Sequence, residues 1–140
     1  MSEPRATAGD AASAPGRPHG DVYDWYVRGV ELLKARNPAA AAALLAHAAS
    51  AEPESRSVRE ALARAQFDAG RLQEARETFA TIVAENPTDD YAHFGMGLAA
   101  SRLGDYRDAT EHLALAVAMR PDNKHYATAL RHARAARQAG

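Results

Sequence analysis

Three prolines set the frame of this chain. Pro53, Pro87 and Pro121 stand 34 residues apart, closing the similar runs AASAEP, IVAENP and AVAMRP. Equal spacing over three occurrences marks a repeat in which each unit cannot bury its apolar face alone and must stack on its neighbours. With each proline at position 32, the units span residues 22–55, 56–89 and 90–123, and residues 124–140 form half a unit.

Each unit reads as two helices. Asp21 can cap the first helix, and Asn37-Pro38 can open the next, with asparagine as the N-cap acceptor and proline preset for the first turn. Ser57 with Glu60 has the form of a capping box. Gly70 can take the left-handed conformation that ends one helix before another starts near Leu72. Asp89 or Asp90 and Gly104-Asp105 repeat that grammar, and the three prolines stop the second helix of each pair. The spacing predicts an all-α chain of seven helices joined by short turns.

Glycine or alanine recurs at Gly29, Ala63 and Gly97 on the first helices and at Ala41, Ala75 and Ala109 on the second. Such positions let paired helices approach closely. In the final segment, Tyr126, Ala127, Leu130 and Ala133 form an inward stripe, while Lys124, Arg131, Arg134 and Arg137 lie largely off it. This is the pattern of a solvating cap over residues 124–138.

With these residues in place the chain resembles the tetratricopeptide repeat family, whose 34-residue unit carries W-x-x-L-G-x-x-Y, then A-x-x-x-F, A and P. Trp25, Gly29, Ala41, Ala48 and Pro53 match in the first unit; Leu62, Ala75, Phe79 and Pro87 in the second; Gly97, Ala109, Ala116 and Pro121 in the third. Arg28, Arg59, Gln66, His93 and Ala100 depart from it. The resemblance implies a right-handed α-solenoid of three helix-turn-helix units plus the solvating helix, and a role in binding proteins.

Composition narrows the function classes. A 140-residue chain is sized for one domain, and a net charge of −1 gives no reason to expect nucleic acid or an acidic membrane as partner. The absence of cysteine excludes disulfides and thiolate sites and suits a reducing, cytoplasmic setting. No segment has the apolar length of a signal core or a membrane span. Lysine occurs only at Lys34 and Lys124, with arginine elsewhere, a bias expected of a GC-rich bacterial genome. Residues 1–20, with Pro4, Pro15 and Pro18 among Ala, Ser and Gly, read as a disordered tail.

No catalytic constellation emerges, and no enzyme, metal or cofactor is expected. None of His19, His47, His93, His112, His125 and His132 falls in a metal-binding spacing, so all read as groove-lining or solvent-facing. There is no phosphate-loop, dinucleotide or nucleophile-elbow motif. Gly95-Met96-Gly97 reads as close packing inside a helix, and Asp89-Asp90 as helix-start charge.

In the family the first helices of successive units line a concave groove, and the resemblance carries that role to Tyr23, Tyr26, Val30 and Leu33; to Glu60, Arg64 and Phe67; to Tyr91, Phe94, Leu98 and Arg102; and to His125 and His132 of the cap. Three-and-four spacing independently puts 23, 26, 30 and 33 on one face, as it does 91, 94 and 98. An apolar, aromatic groove edged by charge suits an extended peptide or a partner helix. At the positions of the family's carboxylate clamp for chaperone tails stand Tyr26, Val30, Ala61, Tyr91 and Gly95, none a cationic or amide donor. The expected function is therefore a noncatalytic adaptor for a protein or peptide segment, as a monomer or weak homo-oligomer. Its own proline-bearing tail is one candidate ligand, and structural self-association is the alternative.

Overall fold

A computed structural model describes residues 20–140. Expectations for the tail over residues 1–20, including its disorder and its place as a groove ligand, fall outside that range except at Gly20. The described chain forms seven helices: α1 (Val22–Lys34), α2 (Pro38–Ala51), α3 (Arg56–Asp68), α4 (Leu72–Glu85), α5 (Asp90–Arg102), α6 (Tyr106–Met119) and α7 (Lys124–Ala139).

The helix ends follow local chemistry. Asp21 and Asp24 form a reciprocal capping box at α1, where the Asp21 carboxylate accepts from the Asp24 N–H at 3.0 Å. Asp89 and Asp105 each accept from the N–H three residues on. Two sequence expectations are corrected here. The cap of α3 is Ser55, whose Oγ accepts from the Val58 N–H, and Ser57 lies inside the helix. Asn37 precedes α2 but makes no side-chain cap bond, leaving Pro38 as the local start signal. Each second helix ends at the residue before a proline: Glu52, Asn86 and Arg120 are the C-caps of α2, α4 and α6.

Consecutive helices pack throughout the described residues, while α1 also touches α3, α3 touches α5, and α5 touches α7. No corresponding approach joins α2 to α4 or α4 to α6. The odd-numbered helices are thus closer to one another than the even-numbered ones, which curves the stack and puts α1, α3, α5 and α7 on its concave side. This is an all-α, right-handed solenoid closed by α7.

Small residues set the helix separations. A Cβ on Gly29 would lie 2.5 Å from Leu45 Cγ, and one on Gly97 would lie 2.6 Å from Leu113 Cγ. Gly95 faces Phe79 of the preceding unit in the same way, with 2.5 Å to the ring. Leu45, Phe79 and Leu113, thirty-four residues apart in turn, are fully buried knobs that these small positions admit.

The family's tryptophan slot is buried in every unit but holds three chemistries: Trp25, Arg59 and His93. The Arg59 guanidinium donates to Glu85 Oε1 at 2.6 Å and to the Thr81 and Glu54 carbonyls. The His93 Nε2 lies 2.8 Å from the Pro87 carbonyl, and its Nδ1 lies 3.0 Å from His112 Nδ1. Burial of His93 corrects the sequence expectation of a groove-lining or solvent-facing ring: the slot between α5 and α6 accepts a flat side chain, and the polar atoms find partners there.

In the cap, Tyr126, Leu130 and Ala133 are buried and Ala127 is half-buried. Lys124, Arg131, Arg134 and Arg137 are exposed, and Arg137 donates to Thr110 Oγ1. Among the described residues, no helix is long and apolar enough to cross a membrane.

Candidate functional site

The concave face is built from the spacing of α1, α3, α5 and α7, and it carries three hollows. The first, about 330 Å³, lies between Tyr23 and Tyr26 of α1, Glu52 at the end of α2, and Ser55 and Val58 at the start of α3. The second, about 270 Å³, lies between Arg64 and Phe67 of α3 and Tyr91, Phe94 and Leu98 of α5, with Phe79 behind them. The third, about 500 Å³, lies between Leu98 and Arg102 of α5 and His125, Thr128 and His132 of α7. Phe94 and Leu98 wall both the second and third hollows, so these form one trough from α3 to α7.

The thirteen groove candidates therefore divide. Arg64, Phe67, Tyr91, Phe94, Leu98, Arg102, His125 and His132 come together in the trough. Tyr23 and Tyr26 sit apart in the first hollow. Val30 and Leu33 line none of the three; they pack against the buried cluster of Ala41, Ala42, Leu45, Ala61, Leu62 and Ala65 shared by the first and second units. Glu60 is half-buried and contributes charge near Tyr91 without lining a hollow.

The aromatics of the trough are locked to one another. Tyr91 meets Phe79 edge-on at 5.9 Å and Phe94 at 6.2 Å, while Phe94 stacks on Tyr126 at 4.6 Å. Tyr126 donates its O–H to Asp90 Oδ2 at 2.7 Å, fixing the ring against which Phe94 rests. Burial, followed by the hydrogen bond to Asp90, pushes the Tyr126 phenol up; burial likewise raises that of Tyr91. Both phenols stay neutral and able to donate. Tyr91 and Phe94 are half-buried, serving as trough walls and inter-unit packing together.

Cations rim this apolar floor. The Arg102 guanidinium of the third hollow lies 5.0 Å from the ring centroid of Phe67, which lines the second, a cation–π contact. Arg64 and Asp68 flank its other side. Among the described residues, no group of three or more histidine, aspartate or glutamate side chains is arranged to hold a metal. Elsewhere, the paired His93 and His112 form a closed internal contact. The Pro87 carbonyl can only accept, so His93 Nε2 donates to it; between the two Nδ1 atoms one ring donates and the other accepts, and His112 Nε2 lies 3.5 Å from Asp108 Oδ1. Burial pushes His112 below its ordinary value, against the opposing charge of Asp108.

Three features escaped the sequence reading: the Tyr126 hydroxyl pairing, the Arg59 cluster and the His93–His112 contact. The only signal for the last two was their departure from tryptophan in the repeat pattern.

A family model described as tetratricopeptide repeat matches residues 32–100. No curated protein sequence matches the chain. Among solved structures, the first tetratricopeptide domain of human RPAP3 is similar at a TM-score of 0.77 and 19% identity, over 84% of this chain and 93% of that one. The first such domain of Spaghetti (RPAP3), bound to the HSP90 peptide SRMEEVD, aligns at 0.77 and 19% over 83% and 92%. MamA from Desulfovibrio magneticus RS-1 aligns at 0.80 and 18% over 84% and 67%.

Proposed function

The chain belongs to the tetratricopeptide repeat family, and on that premise we propose that it is a noncatalytic adaptor that holds a peptide or protein segment in the trough between α3, α5 and α7. The observation that carries this reading is the continuity of that trough: aromatic walls, already ordered by their mutual contacts, run between rims of unlike charge. Preordered aromatic anchors lower the entropy cost of binding a flexible segment. The RPAP3 domain, of the same fold, holds an HSP90 peptide.

This chain would hold its ligand differently from a carboxylate clamp. Tyr26 and Val30 pack against the core, Ala61 is buried, and Gly95 is closed by Phe79. No cationic or amide donor for a carboxylate stands at those positions, so apolar and aromatic contact supplies the anchoring there. The trough is the adaptor's working surface, and its chemistry is recognition without turnover.

Peptides selected by display against the full chain test the reading. Leu98→Glu places a charge in the wall common to both hollows and should weaken selected peptides by at least about tenfold, the effect of burying a charge against an apolar contact. Leu115→Glu, at an exposed position on α6, should leave affinity unchanged. Retained affinity in Leu98→Glu with an unaltered helical signal would show that the trough is not the binding surface.

A further inference from the structure

The trough is not electrically uniform along its length. At the α3 end, Arg64 stands with Asp68, and Glu60 lies close enough to act on Tyr91. At the α7 end, the residues that line the hollow include Arg102, His125 and His132 and no carboxylate. Helix α7, from Lys124 to Ala139, carries no aspartate or glutamate at all. His125 and Thr128 also lie in its first turns, where the helix dipole is positive.

Arg102 differs from the arginines that are paired within and between the units. Arg56, Arg59 and Arg76 each meet a carboxylate at 2.6 to 2.8 Å. Arg102 has no ion pair and no side-chain hydrogen bond among the described residues; its one contact of that kind is with the face of Phe67. A guanidinium resting on a ring keeps its in-plane N–H donors free while its position is held. Beside it, Phe94, Leu98 and Ala129 supply an apolar seat.

Resting on the reading of the trough as a ligand site, we propose that its α7 end takes a carboxylate: the partner is an acidic peptide segment whose apolar side chain seats on Phe94 and Leu98 and whose aspartate or glutamate meets Arg102, His125 and His132. The charge gradient gives the bound segment a direction, with its acid toward α7. A continuous polyanion such as nucleic acid is disfavoured, because Asp68 would face its phosphates at the other end. The side chains used are not at the clamp positions, so the recognition is of a separate kind.

Two pools of short, end-blocked peptides, identical except for glutamate in one and glutamine in the other, provide the probe. Titrated into isotope-labelled full-length protein, the glutamate pool should move the amide signals of Ser101, Arg102, His125, Thr128 and His132. It should half-saturate at about one-fifth the concentration of the glutamine pool, the upper end for an ion pair still in contact with water. That gap should close in the triple variant Arg102→Gln, His125→Gln, His132→Gln and at ~0.5 M salt. All three side chains are exposed, so an unchanged helical signal is the expected control. Equal half-saturation by the two pools, with signals moving on α3 and α5, would overturn the acidic partner and leave the trough standing. A glutamate preference that survives the triple variant would overturn it as well. Silence of the concave face to both pools would refute the trough and the acidic partner together. Single-stranded DNA competing as well as the glutamate pool would replace the peptide with a polyanion.

Discussion

The turn inside each unit offers a test in which the repeat supplies its own controls. Residues 36, 70 and 104 occupy one position of the 34-residue unit, and all have positive φ: Arg36 at 62°, Gly70 at 82° and Gly104 at 85°. A residue with a Cβ pays about 1–2 kcal/mol in that region, and glycine loses about 0.5–1 kcal/mol more chain entropy on folding, so glycine is favoured by roughly 0.5–1 kcal/mol. The Arg36 side chain is exposed and makes no hydrogen bond or ion pair among the described residues, so Arg36→Gly removes nothing that offsets the gain. The expected rise in Tm is about 2–4 °C for a domain of this size. Gly70→Ala should lower Tm by a similar amount. Its added Cβ would meet nothing within 4 Å, which isolates the backbone term. Circular dichroism melts, with urea midpoints on the same samples, measure both. A lower Tm for Arg36→Gly, or a higher one for Gly70→Ala, would refute the reasoning.

Gly97→Ala drives a methyl to 2.6 Å from Leu113 Cγ and 3.3 Å from the Ala109 carbonyl, and should cost about 1–3 kcal/mol in urea unfolding. Adding Leu113→Ala should cost less than the sum of the two single changes, because it opens the same space. At Arg59, Ala should destabilise by about 2–4 kcal/mol while Met stays within about 1 kcal/mol of the native chain. Arg59 Nε has no hydrogen-bond partner, and Glu85 can return to water when the pair is removed. Acid should weaken the third unit. Because His112 is depressed in the fold, the unfolded chain takes up the proton first as pH falls below about 6.5, so stability declines from there until the folded His112 also titrates. His93, Asp108, Glu111 and Arg76 set that field, and His112→Gln should flatten the slope of unfolding free energy between about pH 7.5 and 5.5.

What could be read beforehand depended on the range of the interaction. Pro53, Pro87 and Pro121 act on their own backbone, and Gly70 and Gly104 allow a local conformation, so helix ends were legible from single residues. The α3 cap was misread because the capping-box pattern fits Ser57 and Glu60, whereas helix entry two residues after Pro53 makes Ser55 the turning point. Spacing also gave the concave face of α5. It could not show that Val30 and Leu33 pack against the buried cluster around Leu45 and Leu62, since spacing fixes direction around a helix axis but not the depth of the neighbour. Arg59 and His93 appeared only as departures from tryptophan. Their side-chain partners Thr81, Glu85 and His112 lie 19 to 26 residues away on the following helix, a pairing no local pattern encodes.

The three chemistries in that buried slot also bear on how the chain finds its own order. A stack of identical units could zip together one unit out of step, since every neighbour would fit every other. If α3 docked on α6 instead of α4, the positions of Thr81 and Glu85 would be taken by their thirty-four-residue images, Leu115 and Met119. The Arg59 guanidinium would then be buried against two apolar side chains, at a cost of several kcal/mol. If α5 paired with α4, Thr78 would stand where His93 requires His112. The departures from the repeat thus number the units, and the correct sequence of docking is written into the places where they differ.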